Sequence, residues 1–281
     1  MKKMKKALVL AMTAAVCVTS VFSMTGCSKK ETNRLDDIIK NGKITMVTEP
    51  YFAPMEFIDS SKSGQDQYQG VDIELAKYIA ESLNVELEII PVEFAAVVTG
   101  VQEGKYDIGL AGFAYTAERA EVVDMTDVYW KEDQSEGHGL LILKDRLDEF
   151  TSLEDFNGLT VAAQNGSIQQ GFVKEQIPEA KLQVVTAVND GFLMVQEGKI
   201  DACATAWSTG ELFAGSNPEV AMCNVKFAEY QDGNVGIVQK GQTDLLNKVN
   251  EIIKDAWDKG LMQQWHEESM EYAKSLGLDV N

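Results

Sequence analysis

The chain has 281 residues, of which 45% are hydrophobic, and it carries a formal net charge of −19. This length is enough for one large domain or for two smaller ones with their own cores. Because phosphate groups and anionic membrane surfaces repel a strongly acidic protein, we do not expect nucleic acid as a partner.

The N-terminus has the pattern of a secretory signal. Residues 1–6 carry four lysines, and an apolar run rich in small residues follows, short for a stable membrane span. The run ends in MTGC, which resembles a bacterial lipobox with methionine where leucine is more usual. We therefore expect a signal peptide at 1–26, a lipid on Cys27 and a tether at 27–33. A plain secretory signal cleaved nearby is the alternative.

Strands and helices alternate along the rest of the chain. Hydrophobic periodicity and capping residues predict strands at 43–49, 85–92, 107–112, 139–143, 160–164, 182–187, 200–205, 220–225 and 234–240. They predict helices at 35–42, 71–84, 94–104, 152–158, 167–177, 189–198, 243–260 and 261–276. This alternation predicts an α/β protein with parallel strands and with helices on both faces of each sheet.

One phrase occurs twice: VQEGKYD begins at Val101 and VQEGKID at Val195. In each copy we expect a helix to end at the glycine, which takes a left-handed cap without a Cβ penalty, and a strand to begin at the aspartate. Ligands of open α/β sheets bind beyond the carboxyl ends of the strands. The segments that follow the two copies, 112–116 and 205–208, are therefore where we expect a binding site.

Two cysteines lie in the predicted strands 200–205 and 220–225. Cys203 and Cys223 could form a disulfide in an oxidising compartment, or they could be two small buried residues. The sequence leaves both alternatives open.

Arg119 stands in an unusual place. Thr116 is a suitable N-cap, and a capping box would have Glu or Gln where Arg119 stands. The helix dipole opposes a cation in the first turn. Arg119 is therefore either a surface residue paired with Glu118 or Glu121, or a bidentate donor to a ligand carboxylate.

The chain resembles the extracellular solute-binding proteins of family 3, the polar amino acid receptors of ABC transporters. The resemblance rests on TEPYFAPMEFID, GVDIELAKYIAESLNVELEIIPV, VQEGKYDIGLAGFAYTAERAEVVDMTDVYW and SLEDFNGLTVAAQNGSIQ, and it runs from about residue 42 to residue 260. It implies a two-lobed periplasmic-binding-protein type II fold, with a mixed sheet in each lobe, a two-strand hinge and a ligand between the lobes. Lobe 1 would comprise 34–140 and 236–281, and lobe 2 would comprise 141–235.

The resemblance also implies a set of ligand-binding residues. Arg119 matches the arginine that pairs with the α-carboxylate of the ligand, and Ser167 matches the first hydroxyl residue of a turn whose helix N-terminus binds the same group. Ile168 stands where a second hydroxyl is usual. The implied set is completed by a loop and by aromatic residues: Gly112, the Ala114 backbone, Phe52 (or its neighbour Tyr51) and Phe94.

Two positions depart from the family pattern. Ala114 replaces a Thr or Ser, which removes a side-chain hydrogen bond but keeps the backbone N–H. Ala206 stands where the family usually has an Asp that accepts the ligand ammonium, and a buried ammonium without a counter-charge is costly. Either another acid substitutes, or the ligand lacks an α-amino group there, or the ring of Trp207 binds the cation through its face.

We expect the substrate-binding component of an ABC importer, a monomer anchored outside the cell membrane that binds an amino acid or similar carboxylate. Its partners would be a permease, an ATPase and membrane lipid. The two histidines, His138 and His266, are far apart in sequence, and no metal or cofactor motif occurs, so we predict neither. We also predict no catalysis, because no general acid is evident. A cyclohexadienyl dehydratase-like enzyme and a stand-alone sensor are the alternatives.

Overall fold

A computed structural model describes residues 33–131, 137–228 and 233–278. The predicted signal peptide, the lipidated Cys27 and nearly all of the tether lie outside these residues. The described residues form one compact unit.

The described residues form nine α-helices and twelve strands, with short 3-10 turns between them. The helices are α1 (Arg34–Asn41), α2 (Val71–Leu83), α3 (Phe94–Gln102), α4 (Ala117–Val122), α5 (Ile168–Gln176), α6 (Val188–Gln196), α7 (Trp207–Ser216), α8 (Thr243–Asp258) and α9 (Leu261–Ser275). The strands are β1 (Lys43–Thr48), β2 (Phe57–Ile58), β3 (Tyr68–Gln69), β4 (Glu86–Pro91), β5 (Ile108–Gly109), β6 (Val123–Trp130), β7 (His138–Leu143), β8 (Thr160–Gln164), β9 (Lys181–Val185), β10 (Ala202–Ala206), β11 (Val220–Lys226) and β12 (Asn234–Gln239).

Two five-stranded sheets share one design. Sheet one has the order β4-β1-β5-β12-β6, and sheet two, in the same sense, has the order β9-β8-β10-β7-β11. In each sheet the first three strands are parallel and the last two add antiparallel pairs. The expected two-lobed α/β fold with mixed sheets is thereby confirmed. Strand–helix alternation predicted parallel strands, and it is wrong at β12 and β7, each of which runs antiparallel to the other four strands of its sheet.

The chain passes from sheet one to sheet two between β6 and β7, and it returns between β11 and β12. The predicted lobe boundary at 140/141 falls after the third residue of β7, and that at 235/236 falls after the second residue of β12. The exact lobe limits stay a prediction. Below, lobe 1 means the elements around sheet one and lobe 2 those around sheet two.

Alternating side chains bury both faces of each sheet. In β1, Ile44 and Met46 pack toward the cluster that contains α2, α8 and α9, while Val47 packs toward α3 on the other face. In lobe 2 the two cysteines lie on opposite faces: Cys203 is in the cluster with α6, and Cys223 is in the cluster with α5. Both are buried free thiols, so the disulfide alternative is wrong and the alternative of small buried residues is confirmed.

The repeated phrase forms the same unit twice, as predicted. Gly104 and Gly198 follow α3 and α6 with φ of +70° and +66°. In each copy the aspartate then accepts a backbone N–H from the neighbouring parallel strand: Asp107 from Thr45 at 2.6 Å, and Asp201 from Thr160 at 2.9 Å. Each aspartate also pairs with an arginine elsewhere in its lobe. These contacts fix the start of β5 and of β10, and therefore where each strand ends.

The two longest elements that were not predicted are β6 and α7. Strand β6 has the sequence VDMTDVYW, whose aspartates interrupt the apolar alternation. Helix α7 has no side-chain N-cap, and Gly210 lies within it because a Cβ there would stand 2.1 Å from the Met222 sulfur. Tertiary packing rather than local sequence therefore determines both elements.

Candidate functional site

The carboxyl ends of the parallel strands in the two lobes face each other, and we call the space between them the cleft. Two contacts cross it. Gln164 at the end of β8 donates from Nε2 to Oε1 of Glu49, the residue after β1, at 3.1 Å. Arg119 of α4 donates to the carbonyl of Gly166 at 2.9 Å. The two lobes therefore touch across the cleft in this structure.

Arg119 is the central cation of the cleft. Its side chain is buried, and Nη1 donates to the Ala114 carbonyl at 2.8 Å while Nη2 reaches Gly166. Burial lowers the pKa of its guanidinium to about 10. Among the described residues, arginine ion pairs involve Arg34 and Arg146, so the surface-pair alternative for Arg119 is not what the structure shows. A guanidinium has five N–H groups, and those that the two carbonyls leave over suit an anion.

Aromatic rings form the wall beside this guanidinium. The Arg119 Cζ atom lies 5.6 Å from the ring centroid of Phe94 and 5.0 Å from that of Phe113. Phe52 packs against Gly112, where a Cβ would stand 3.0 Å from its ring. Phe94 and Phe52 thus lie in lobe 1 beside Arg119 and Gly112, and their contact with a ligand stays a prediction.

The N-terminus of α5 forms the opposite wall. Ser167 is its N-cap, and the Ser167 hydroxyl accepts from the backbone N–H of Gln170 at 3.2 Å. Gly166 has φ +76°, and a Cβ there would lie 3.4 Å from the Cβ of Ala95 in α3. Ile168 is the first residue of α5 and is partly buried. The positive end of this helix therefore lies near Arg119, where an anion is favoured.

Glu49 is the cleft acid that sequence reasoning missed. Its side chain is 3% exposed, and Gln164 donates one hydrogen bond to it. Burial, with a smaller contribution from Asp190, raises the pKa of its carboxyl to about 8. It stands directly after β1, so the strand-end rule that pointed to 112–116 could have identified it.

The end of β10 lacks the acid of the family pattern. Ala206 is buried, and its strand neighbour across β7 is His138, whose Nδ1 lies 2.9 Å from Nε2 of Gln169. The ring of Trp207 packs against Gly139, and Lys226 Nζ lies 4.1 Å from its centroid. The ring face that was considered for a ligand cation is therefore in contact with a cation of the chain itself.

A hydrogen bond to α2 fixes the loop that follows β5. The Gly112 N–H donates to Oδ2 of Asp72 at 2.9 Å, so this amide is already bonded within lobe 1. Gly112 has φ +55°, which the loop needs to turn over the Phe52 ring. The Ala114 carbonyl is bonded to Arg119. The predicted loop residues thus line the cleft, and their direct contact with a ligand stays a prediction.

Neither a membrane-spanning helix nor a metal-binding cluster occurs in the part of the chain that the structure describes. No helix among residues 33–131, 137–228 and 233–278 is long and apolar enough to cross a membrane. Within the same ranges no three His, Cys, Asp or Glu side chains are grouped as a metal site requires.

Comparison with known proteins agrees with the resemblance. Residues 44–271 match the family described as bacterial extracellular solute-binding proteins, family 3. The arginine-binding extracellular protein ArtP of Bacillus subtilis (strain 168) is 28% identical over 263 residues, which are 93% of this chain and 96% of the relative. The cyclohexadienyl dehydratase of Pseudomonas aeruginosa is 22% identical over 190 residues, 67% of this chain and 68% of the relative.

The fold also matches solved structures. A crystal structure of an amino acid ABC transporter substrate-binding protein from Streptococcus pneumoniae, bound to L-arginine, has a TM-score of 0.77 and 31% identity. The match covers 84% of this chain and 97% of that one.

Proposed function

Because this chain belongs to the bacterial extracellular solute-binding proteins of family 3 and is a solute-binding protein of the amino acid transport type, we propose that its ligand is a cationic amino acid such as L-arginine. The observation that carries the proposal is the buried carboxyl of Glu49 in the cleft, opposite an anion-binding wall. A ligand with a carboxylate at one end and a cation at the other complements both.

Arg119 and the N-terminus of α5 would hold the ligand carboxylate. The guanidinium keeps N–H groups beyond those given to Ala114 and Gly166, and the helix end adds positive potential. Phe94 and Phe52 would pack on the aliphatic part of the ligand. Ser167 would add its hydroxyl from lobe 2, so both lobes would contact one carboxylate and the ligand would stabilise the closed form.

Glu49 would hold the ligand cation. Burial without a cationic partner keeps this carboxyl protonated at neutral pH, and an ammonium or guanidinium beside it would restore the ionised form. Glu49 would take the side-chain cation of the ligand, so the α-ammonium, which the family's Asp accepts, would still meet no acid at Ala206, and the three alternatives for that end of the ligand stay open. Gln164 would hold Glu49 in place from lobe 2.

Three features of similar proteins support this choice of ligand. The Bacillus relative is named as arginine-binding, the Streptococcus structure contains L-arginine, and a second relative from Escherichia coli (strain K12) is named as an arginine-binding protein of an ABC transporter.

The surroundings of the protein complete the proposal. The family is extracellular. Cys27 would carry a lipid that anchors the chain to the outer face of the cell membrane, and the protein would act as a monomer. The ligand-bound form would deliver its solute to a permease and its ATPase. The protein would need no cofactor.

The test is calorimetric titration of the purified chain with L-arginine at pH 8.5. Glu49→Gln removes the counter-charge of the ligand cation, and we expect a loss of about 2 kcal/mol, roughly 30-fold in Kd. The matched control is Glu197→Gln, an exposed acid paired with Lys199 outside the cleft, which should change Kd by less than about twofold. Unchanged affinity in Glu49→Gln would refute the role of Glu49.

A second candidate is a dehydratase. Glu49 is held protonated at neutral pH, as a general acid needs to be, and a cyclohexadienyl dehydratase is among the relatives. We propose nevertheless that the chain is not an enzyme. Incubation with prephenate or arogenate, followed by detection of phenylpyruvate or phenylalanine, decides: turnover that Glu49→Gln abolishes would overturn the binding-only proposal.

A further inference from the structure

A second pair of acids is buried beneath the cleft, and the proposed function does not use it. Glu56 and Asp72 are each 0% exposed. The backbone holds them together, since the Asp72 N–H donates to the Met55 carbonyl at 2.9 Å. Gly70 permits this approach because a Cβ there would stand 2.2 Å from the same oxygen.

The two carboxyl groups are near neighbours, since each alters the protonation of the other. Yet Oε1 and Oε2 of Glu56 and Oδ1 of Asp72 accept no hydrogen bond from an N–H or O–H group of the described residues. The Tyr129 hydroxyl lies beside Asp72 and the Gly112 amide but completes no bond of ordinary geometry. Buried carboxyl oxygens that neighbour each other and lack a donor favour a shared hydrogen.

The charges around the pair decide how many protons it holds. The other groups that bear on it are the acid Glu49 and the phenol Tyr129, and none of the described lysines or arginines forms an ion pair with it. Two buried negative charges in contact without a cation are strongly unfavourable. Burial raises the pKa of Glu56 well above its ordinary value and that of Asp72 to about 6.

Asp72 also accepts a hydrogen bond from the loop that follows β5. Its Oδ2 accepts the Gly112 N–H at 2.9 Å, and an ionised carboxylate accepts such a bond most strongly. A proton on one oxygen of Glu56, donated to Oδ1 of Asp72, would satisfy two of the three oxygens left over. This arrangement leaves one proton and one negative charge on the pair.

We propose that Glu56 and Asp72 share a single proton at neutral pH, and that Asp72 thereby positions the loop from Gly112 to Ala114 that holds Arg119. Asp72 is a positioning residue that would not touch the ligand. It accepts the Gly112 amide at one end of the loop, and the Ala114 carbonyl at the other end accepts from Arg119. The inference goes beyond the proposed function and is independent of which ligand binds.

The first test counts protons in the ligand-free chain. For each proton that the folded state binds in excess of the unfolded state, the unfolding equilibrium constant increases tenfold for every unit by which the pH rises. Urea unfolding is measured at pH 7 to 8.5 for the wild type and for three variants: Glu56→Gln, Asp72→Asn and the double variant. The contribution of Glu49 is common to all four proteins, so differences between them report the pair.

The proposal predicts that each single variant, Glu56→Gln or Asp72→Asn, lowers the pH dependence of the unfolding equilibrium constant by one factor of ten per pH unit. The double variant should lower it by the same amount and no more. An amide N–H then replaces the shared proton. Equal slopes in all four proteins would mean that the wild-type pair holds no proton, and a further tenfold step lost in the double variant would mean that it holds two. Either result overturns the proposal.

The second test reads the positioning role by hydrogen exchange of the Gly112 amide, again without ligand. Asp72→Leu removes the acceptor, and we expect exchange at Gly112 to accelerate at least tenfold, while Asp72→Asn keeps an acceptor oxygen and the slow exchange. Val249→Ala, which trims the same core at α8, is the control for general loss of stability. If exchange at Gly112 accelerates equally in Asp72→Leu and Val249→Ala, Asp72 contributes only to packing and the positioning role is refuted.

Discussion

The affinity for L-arginine should depend steeply on pH, because Glu49 must lose its proton when the ligand cation binds beside it. In the structure, burial raises the pKa of this carboxyl from 4.5 to about 8. An acid whose pKa is raised on folding contributes stability that is fully present below pH 4.5 and is lost as the pH rises through about 8. A bound cation reverses this penalty, so binding and proton release are coupled.

The size of the effect follows from the ionised fraction of Glu49. With a pKa of about 8, roughly 1% of this carboxyl is ionised at pH 6 and about half at pH 8, so the Kd should fall about 50-fold over this interval. The slope is nearly tenfold per pH unit below pH 7, about fivefold from pH 7 to 8, and flatter above pH 8. At pH 7, binding should release about 0.9 proton.

Calorimetric titration from pH 6 to 8.5, in pairs of buffers that differ in ionisation enthalpy, measures both Kd and proton release. Glu49→Gln should bind weakly at every pH and release no proton, which separates Glu49 from the other titrating groups. The reasoning requires the ligand-free protein to keep Glu49 buried. A Kd that does not change with pH in the wild type would mean that the Glu49 carboxylate is already in water before binding, and it would refute this reasoning.

Three further predictions concern the cleft and the fold. Arg119→Met should weaken L-arginine by about 3 kcal/mol, over 100-fold in calorimetry, and Arg119→Lys should recover only part of this loss because an ammonium cannot form two parallel bonds. Gly198→Ala should cost about 1 kcal/mol in urea unfolding through its left-handed φ, and Gly104→Ala should cost more, since its added methyl would also stand 2.7 Å from the side-chain amide at the end of β12. Because Cys203 and Cys223 are free and on opposite sheet faces, a reductant should leave the melting temperature unchanged, and a drop would reveal a bridge.

The fold was largely predictable because local signals agree with tertiary ones. The repeated VQEGK phrase combines a helix end, a left-handed glycine and an aspartate that anchors the next strand, and the structure shows these contacts in both lobes. Strand β6 and helix α7 were missed because their stability comes from long-range contacts. Antiparallel β12 could not be predicted from alternation alone, since it returns to sheet one after the whole of lobe 2.

The candidate site was only half predictable. Arg119 was visible in the sequence because a cation in a first helical turn opposes the dipole. Glu49 gave no local anomaly, because an acid at a strand end is ordinary on a surface; only its burial across from Gln164 makes it a candidate. Trp207 was considered for a cation, but only three-dimensional contacts reveal that Lys226 lies over its ring.

The central claim is that the cleft binds both charged ends of one ligand, and a comparison of L-arginine with L-citrulline tests it most directly. L-citrulline has nearly the same shape and the same α-carboxylate but a neutral side chain. Calorimetry on the wild-type chain at pH 8.5 should give a Kd for L-citrulline at least about 30-fold weaker, the value of a charge-assisted bond to Glu49. Equal affinity for the two would contradict the account, because the cleft would then recognise the carboxylate and the shape of the ligand but not its side-chain cation.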